Sequence, residues 1–340
     1  MILGGHSKIN DAWVQVFIPT YNRSIKLERA INSVLAQTYQ HIKIVILDNC
    51  SQDETSSLVM RLSKSYSNIE YIRSEYNLGM IGNFNRIHSL VKCEYFCVLT
   101  DDDVYEKEFI AEAISLFKKN ALVSVAIFNA PHRVHGVVTK SQIEDWHEGI
   151  YRKGEALNFV LTGRHPIITN CLFRHKVADK FIFSEELGGS GDIFLLIKII
   201  AEEDIVVSKM ISGYYDIHDD NETLSVSGVK RYKQQRELYR AVENYSKKNT
   251  IVNYTKLKPR PFQSIISILL YTDYIEFVEN FCLFEEGNDM GQLFNSMIFF
   301  LKNRLIFNIG KRMLFIVKLV NSAVKDVKRL YNIFLVVRLL

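Results

Sequence analysis

Four short apolar runs, each followed by a helical pattern or a polar turn, constrain the fold of this chain more than any other feature. The runs cover residues 14–18, 42–47, 69–72 and 95–99. Ser24 and Asp53 are suitable caps for the first two intervening helices, and residues 79–91 read as a third. Strands that alternate with helices in this way predict an α/β fold with a doubly wound, mostly parallel sheet flanked by helices.

Polar residues stand at the ends of three of these predicted strands. They are the segment PTYN at 19–22, Asp48, and the triplet of Asp101, Asp102 and Asp103. In doubly wound sheets, ligands bind outside the carboxyl ends of the strands. The sequence therefore predicts one polar site at this edge of the sheet.

The three adjacent aspartates indicate what this site binds. Acids after a strand often do no more than solvate a turn, which is the simplest interpretation of a single aspartate. Three in a row, beside Asp48 and PTYN, favour a nucleoside diphosphate held through Mg²⁺ or Mn²⁺, because these cations prefer oxygen ligands. The cation would also neutralise charge on a leaving phosphate.

Four segments in a fixed order carry a family resemblance. VFIPTYNR, IVILDNCSQDET, NLGMIGNFN and CEYFCVLTDDD resemble the nucleotide-binding half of family 2 glycosyltransferases with the GT-A fold, over about residues 13–225. The resemblance implies an inverting transfer of a sugar from a nucleoside-diphosphate sugar to an acceptor hydroxyl, assisted by Mg²⁺ or Mn²⁺. The acceptor would be a glycan or a lipid-linked saccharide, in cell-surface polysaccharide synthesis.

The resemblance also implies residue roles. Asp48 would bond the base, and Asn77 and Asn85 would support the diphosphate, although turn and helix-surface polarity explains these two asparagines equally well. The residues expected to bind the nucleotide sugar are Pro19, Thr20, Tyr21, Asn22, Asp48, Asn77, Asn85, Asp101 and Asp103.

The aspartate triplet departs from the family pattern. The family segment reads L-D-x-D-D, and Thr100 stands where its first acid would be. In that register Asp102 becomes the metal ligand and Asp101 faces the ribose. Asp103 either adds a second contact or braces the turn.

The catalytic base is expected in the second half of the chain. An inverting transfer needs a carboxylate that takes the proton of the acceptor hydroxyl. Asp192, in GGSGDIFLLIK, matches the acid that opens a helix in the family. A structural N-cap is the alternative for Asp192, and Glu185 and Glu186 are weaker candidates for the base.

A later segment, YYDIHDDNETLS, resembles the Y-R-x-H…S segment of the family. His218 would then complete the metal or diphosphate site. Asp216 stands where the family often has arginine, so a diphosphate contact would be absent or supplied by another residue.

The regular rhythm loosens after Ala130. Residues 131–150 read as a polar loop over the site, residues 167–173, 205–207 and 214–218 as strands, and residues 193–201 as a helix. From about Val229 the pattern is almost wholly helical. We therefore expect a GT-A domain at 1–228 and a helical region at 229–340.

The C-terminal tail is basic. Residues 291–340 hold nine Lys and Arg against one acid, a local charge of +8, whereas the whole chain carries +4, which leaves −4 for the remainder. Apolar residues of 311–340 recur at spacings of three and four, with basic residues opposite them. Such a helix can lie on an anionic membrane, or it can pack on the body or on a second subunit as a homodimer seam. Nucleic-acid binding is not expected, because the body is acidic.

Composition favours a reducing compartment. The chain has five cysteines and no CxxC pair, so buried thiols are expected rather than disulfides or a metal cluster. No secretory signal and no apolar run of roughly 18 residues is apparent. We expect a cytoplasmic protein, with peripheral attachment to the inner face of the membrane as an option.

Two other functions fit parts of the sequence. DDDV also matches the D-x-D-x-V of haloacid dehalogenase-like phosphatases, with Asp101 as nucleophile and Asp103 as acid. That motif normally follows the first core strand, whereas here three strand units precede it. A non-catalytic, membrane-associated family member is the other alternative, which Thr100 and Asp216 permit.

Overall fold

A computed structural model describes residues 12–134, 136–161, 163–217 and 228–249. Described residues up to Ile217, together with Ala241–Asn249, belong to one compact unit, and Gly228–Arg240 belongs to a second. His218 and the basic tail lie outside the described residues. The predicted boundary at residue 228 stays a prediction.

One large sheet organises the first unit. Its eight strands run in the order β3-β2-β1-β4-β10-β6-β11-β9. Their bounds are Val14–Thr20 (β1), Ile42–Asp48 (β2), Ile69–Arg73 (β3), Tyr95–Val98 (β4), Val125–Asn129 (β6), Gly149–Tyr151 (β9), Cys171–Arg174 (β10) and Ile205–Ile211 (β11). β3, β2, β1 and β4 are parallel, whereas β10 is antiparallel to both β4 and β6. The predicted α/β class is confirmed.

The residues that directly follow the triplet begin a second, small sheet of four short strands. It has the order β5-β12-β7-β8, and its strands are Val104–Tyr105 (β5), His132–Val134 (β7), Val137–Val138 (β8) and Gly213–Ile217 (β12). The polar segment 131–150 is therefore not wholly a loop, because it supplies two strands here and the start of β9.

Helices connect the strands. They are Ser24–Leu35 (α1), Thr55–Ser65 (α2), Gly79–Asn85 (α3), Ile87–Leu90 (α4), Phe109–Lys119 (α5), Leu157–Leu161 (α6), Gly191–Glu202 (α7) and Gly228–Lys248 (α8). α1 buries the apolar stripe of Leu27, Ala30, Ile31 and Val34, at a helical spacing that faces the core. No helix in the described ranges combines the length and hydropathy needed to cross a membrane.

The central strands form the core. All seven residues of β1 are buried, as expected for a parallel strand covered on both faces. Each fully buried aliphatic side chain contributes roughly 1.5–3 kcal/mol relative to an exposed one. The edge of the sheet that carries the polar groups therefore rests on a rigid scaffold.

Two predicted elements differ in the structure. The predicted helix 79–91 is divided at Arg86, whose amide donates to the Asn83 carbonyl three residues back. The predicted strand 167–173 begins instead as a 3₁₀ turn at Ile168–Asn170. Thr169 and Asn170 both make buried side-chain hydrogen bonds, and adjacent residues of a strand would point to opposite faces.

Candidate active site

The ends of β1, β2 and β4 meet at one edge of the large sheet. Thr20 and Asp48 are paired in register as the last residues of their strands. The amide of Leu99 donates to the Phe17 carbonyl at 2.9 Å, so the triplet continues beside β1. The predicted convergence of PTYN, Asp48 and the triplet is observed.

The loops after β1 and β2 hold each other. The amide of Asn22 donates to the Ser51 hydroxyl at 2.9 Å, and the amide of Gln52 donates to Asn22 Oδ1 at 2.7 Å. Asn22 and Cys50 have positive φ angles of 53° and 68°. Such backbone conformations are uncommon for residues other than glycine and concentrate at functional sites.

Asp48 is fully buried beneath this pair of loops. Its Oδ1 accepts from the Ser51 amide at 2.9 Å, and its Oδ2 accepts from the Tyr71 hydroxyl at 2.6 Å. Arg73 Nε lies 3.3 Å from the same Oδ2. Burial and the bond to Asp48 raise the pKa of Tyr71 to about 12, so the phenol stays a donor. Asp48 thus fixes the loop through partners on both oxygens.

The two predicted diphosphate asparagines have different surroundings. Asn77 Oδ1 accepts from Asn49 Nδ2 at 2.7 Å and from the Gly79 amide at 2.8 Å, which shapes the turn into α3. Asn85 exchanges two hydrogen bonds with the backbone of Phe183, at 2.8 and 3.0 Å. Asn85 therefore connects α3 to the segment that precedes α7.

Asp101 and Asp102 share one cationic partner. Arg23 Nη1 lies 3.2 Å from Asp101 Oδ1 and 3.3 Å from Asp102 Oδ2. Thr20 Oγ1 donates to Asp101 Oδ2 at 2.8 Å. Burial raises the pKa of Asp101 to about 6, against the opposing effect of the Thr20 and Arg23 contacts.

Asp103 faces the other way, into a buried polar network. Its Oδ2 accepts from Thr100 Oγ1 at 2.8 Å and lies 3.5 Å from Thr169 Oγ1. The Thr169 hydroxyl lies 3.1 Å from Asn170 Oδ1, so its single hydrogen is shared between these two acceptors, and Asn170 Nδ2 donates to Ser212 Oγ at 2.7 Å. Thr100, which stands where the family pattern has its first acid, therefore donates a hydrogen bond to Asp103. These contacts favour the brace interpretation of Asp103.

The donor groups at the triplet fit a divalent cation. Carboxylate oxygens of two adjacent residues converge on a single nitrogen of Arg23, which marks a point where positive charge is held. No cluster of three His, Cys, Asp or Glu side chains with metal-binding geometry occurs among the described residues. Mg²⁺ commonly needs only one or two carboxylates, since water and substrate phosphates complete its shell.

Asp192 lies in the first turn of α7. Ser190 occupies the N-cap position, so the N-cap interpretation of Asp192 is wrong. Asp192 is half-buried, and desolvation raises the pKa of its carboxyl, while the nearby charge of His165 opposes the shift. The N-terminus of a helix favours an anion. Glu185 and Glu186 are exposed in the preceding 3₁₀ segment.

Three residues near these groups had no role in the sequence interpretation. Arg23 directly follows PTYN, so its position in the motif was the available signal. Thr169 lies within the predicted strand 167–173 and His165 precedes that strand, and no sequence signal marked either residue for the site.

Tyr21 is 42% exposed at the same edge, where it can contact a ligand. Pro19 and Thr20 are buried within β1. His218 lies outside the described residues, and Asp216 is placed only by its backbone, paired with Arg133 in the small sheet.

Comparisons with known proteins agree with this architecture. Residues 15–182 match the profile described as Glycosyl transferase family 2. A GalNAc(5)-diNAcBac-PP-undecaprenol beta-1,3-glucosyltransferase from Campylobacter jejuni is 26% identical over 249 residues, 72% of this chain and 78% of that protein. An uncharacterized glycosyltransferase of Rickettsia prowazekii is 36% identical, over 31% of this chain and 32% of its own length.

Two solved structures share the fold. Staphylococcus aureus TarS 1–349 in complex with UDP-GlcNAc has a TM-score of 0.57 and 16% identity, covering 82% of this chain and 77% of its own. The mannosyltransferase PcManGT from Pyrobaculum calidifontis, in complex with GDP-Man and Mn²⁺, has a TM-score of 0.53 and 12% identity, with coverages of 93% and 88%. Residues 15–182 of this chain therefore form a glycosyl transferase family 2 domain.

Proposed function

We propose that the protein is an inverting glycosyltransferase that moves a sugar from a nucleoside-diphosphate sugar to a hydroxyl of a glycan or lipid-linked saccharide. The convergence of Thr20, Arg23 and the first two triplet aspartates at the strand ends carries this proposal. At this edge of the large sheet, the carboxylates of Asp101 and Asp102 form a pair suited to a cation, beside the loops that precede α1 and α2. A phosphatase reaction at Asp101 is disfavoured, because β1, β2 and β3 precede the triplet, whereas the phosphatase motif normally follows the first core strand.

The donor lies with its base near the loop that Asp48 holds and with its diphosphate near the triplet. Pro19, Thr20, Tyr21 and Asn22 form the β1 side of this site. Asp102 would hold Mg²⁺ or Mn²⁺, as the sequence interpretation expects. We add Asp101, which that interpretation placed at the ribose, as a second ligand because Arg23 bridges both carboxylates. The charge of the cation would stabilise the departing diphosphate. His218 is a further proposed ligand, from the sequence motif alone.

Asp192 acts as the general base in this proposal. Its carboxylate accepts the proton of the acceptor hydroxyl as the oxygen forms its bond to the anomeric carbon. The bond from that carbon to the diphosphate oxygen breaks on the opposite face, which inverts the configuration. The raised pKa of Asp192 makes its carboxylate a stronger base than an exposed aspartate.

The acceptor proposal rests on the relative from C. jejuni. The name of that protein specifies a saccharide linked to PP-undecaprenol as its acceptor. A comparable acceptor here would link the protein to cell-surface polysaccharide synthesis. Peripheral contact of residues 311–340 with the inner face of the membrane would bring the enzyme to such an acceptor.

Calorimetry with nucleoside diphosphates and Mn²⁺ tests the donor site. UDP, GDP or dTDP is expected to bind in a metal-dependent manner, and binding of none of them would contradict the proposal.

Turnover of the matching nucleotide sugar then separates an enzyme from a non-catalytic relative. Asp192→Asn should retain donor affinity and lose about 10²–10⁴-fold in kcat, the usual contribution of a general base. Donor binding by the wild-type protein with no turnover of any sugar, when tested with saccharide acceptors, would favour the non-catalytic alternative.

A further inference from the structure

We propose that Arg23 is an internal counter-cation of the donor site, which a divalent cation must displace in order to bind. The inference rests on the proposed function, since it takes the triplet as the metal site. It assigns a role to a residue of the first loop that neither the comparisons nor the family motif provides.

The contact geometry carries the proposal. A single atom, Arg23 Nη1, lies within 3.3 Å of one carboxylate oxygen from Asp101 and one from Asp102. These are the oxygens that a cation shared by the two residues would use. The guanidinium and the metal therefore compete for the same pair of ligands.

Electrostatics explains why Arg23 pairs with these two carboxylates. The side chain of Asp101 is only 7% exposed and that of Asp102 only 14% exposed, so water screens their mutual repulsion poorly. A charge-assisted contact to each carboxylate offsets that repulsion. Thr20 adds a neutral donor to Asp101 but no charge.

Exposure makes the exchange feasible. The Arg23 side chain is 33% exposed, so its guanidinium can leave towards solvent without crossing the core. A divalent cation at the same oxygens would face the positive guanidinium at close range, and the two charges would repel. Metal binding and release of Arg23 are therefore one linked event, and Arg23 lowers the metal affinity of the donor-free protein.

The exchange is tested by measuring how tightly the full-length protein binds Mn²⁺ alone. Electron paramagnetic resonance measures this binding as a loss of the free Mn²⁺ signal. Arg23→Gln is expected to bind Mn²⁺ about tenfold more tightly than wild type, because a competing like charge is removed. Arg29→Gln, at an exposed position of the helix α1 that follows Arg23, is the matched control, and the Mn²⁺ affinity of this variant should change far less. Unchanged or weaker binding by Arg23→Gln overturns the proposal.

A measurement on the wild-type protein avoids any folding defect of the variant. Phenylglyoxal modifies accessible arginines, and mass spectrometry locates the modified residue. Addition of Mn²⁺ without nucleotide should accelerate modification at Arg23 several-fold and leave Arg29 unchanged. An Arg23 rate that does not respond to saturating Mn²⁺ contradicts the exchange.

The result is separable from the fate of the proposed function. If wild type binds Mn²⁺ with a nucleoside diphosphate but Arg23 affects neither readout, only the counter-cation role fails. If no variant binds Mn²⁺ with or without UDP, GDP or dTDP, the metal-assisted donor site fails as well.

Discussion

Burial affects the acids of this site in different ways. Asp48 compensates complete burial with donors on both oxygens. Asp192 accepts from the amide of Ile193 at 2.7 Å and from its own amide, and desolvation nevertheless raises the pKa of its carboxyl. A carboxylate whose pKa is raised by desolvation lowers the stability of the folded protein, and such perturbed groups are common in catalytic sites.

The raised pKa of Asp192 predicts a pH-dependent stability effect. A folded pKa above the unfolded value means that the stability contributed by this group is present at low pH and lost as pH rises through the folded pKa. Asp192→Asn should therefore raise the melting temperature at pH 7.5 and show little gain below about pH 4. Calorimetric scans across pH measure the difference, and a constant gain at all pH values would contradict it.

Activity should also depend on the protonation of Asp192, but it should rise with pH where the stability falls. The base works only when deprotonated, so kcat is expected to fall as pH drops through the raised pKa of Asp192. A pH–rate profile of the wild type measures this acidic limb. A limb at the ordinary aspartate value, near pH 4, would contradict the assignment.

Neighbouring aspartates of the triplet should respond differently to the same substitution. Asp102→Asn should weaken Mn²⁺ binding at least about tenfold with a smaller change in the free energy of unfolding, since its partner Arg23 is partly exposed. Asp103→Asn should cost about 1.5–3 kcal/mol in unfolding free energy, because it disturbs the buried contacts with Thr100 and Thr169. Urea unfolding and Mn²⁺ titration of both variants test this contrast, and identical profiles would contradict it.

At the scale of elements, β12 holds the strand that follows the triplet. The amide of Glu106 donates to the Ser212 carbonyl at 2.8 Å, and Gly213 pairs with Tyr105. A Cβ at Gly213 would lie 2.6 Å from the Val104 carbonyl oxygen. Glycine is therefore required for this close approach of β12 to β5.

Gly213→Ala is expected to lower the unfolding free energy by about 1–3 kcal/mol, as overpacking of a tight contact does. It should also weaken Mn²⁺ binding, because Val104 directly follows the triplet. Gly189→Ala is the control, since a Cβ there has no atom within 4 Å. Equal stability of the two variants by urea unfolding would refute the argument.

The connection between α3 and the segment before α7 depends on Asn85. Asn85→Ala removes both hydrogen bonds to Phe183 and leaves buried backbone groups without partners, which should cost about 1–3 kcal/mol. Asn32→Ala, at an exposed position of α1, is the control. If Asn85 instead binds the diphosphate, as the motif alone suggests, its variant would show a raised donor KM with normal stability.

At the scale of the whole molecule, charge divides the sequence into an acidic body and a basic tail. We expect the full-length protein to float with vesicles that contain anionic lipid. Each basic residue near the membrane surface should contribute about 1 kcal/mol to the binding free energy. Reversal of Lys311, Lys318, Lys325 and Arg329 to Glu should abolish flotation, whereas reversal of four body lysines should not. Flotation that persists after tail reversal would contradict the membrane role.

The sequence by itself determined the first four strands of the large sheet, the helices between them and the place of the polar groups. These follow from local physics, because apolar periodicity and turn residues act within a few positions along the chain. Parallel pairing then requires PTYN, Asp48 and the triplet to share one edge, whichever partners their side chains choose. The family motif added the chemistry.

Tertiary structure alone decided which atoms meet. β10 enters between β4 and β6 in the antiparallel sense, and its preceding turn brings Thr169 to Asp103. Arg23 and Asp102 lie 79 positions apart, and Asn85 and Phe183 lie 98 apart. Contacts at such separations depend on how helices and loops pack around the whole sheet, so no local pattern encodes them. For that reason the triplet could be located from the sequence, while its contact with Arg23 could not.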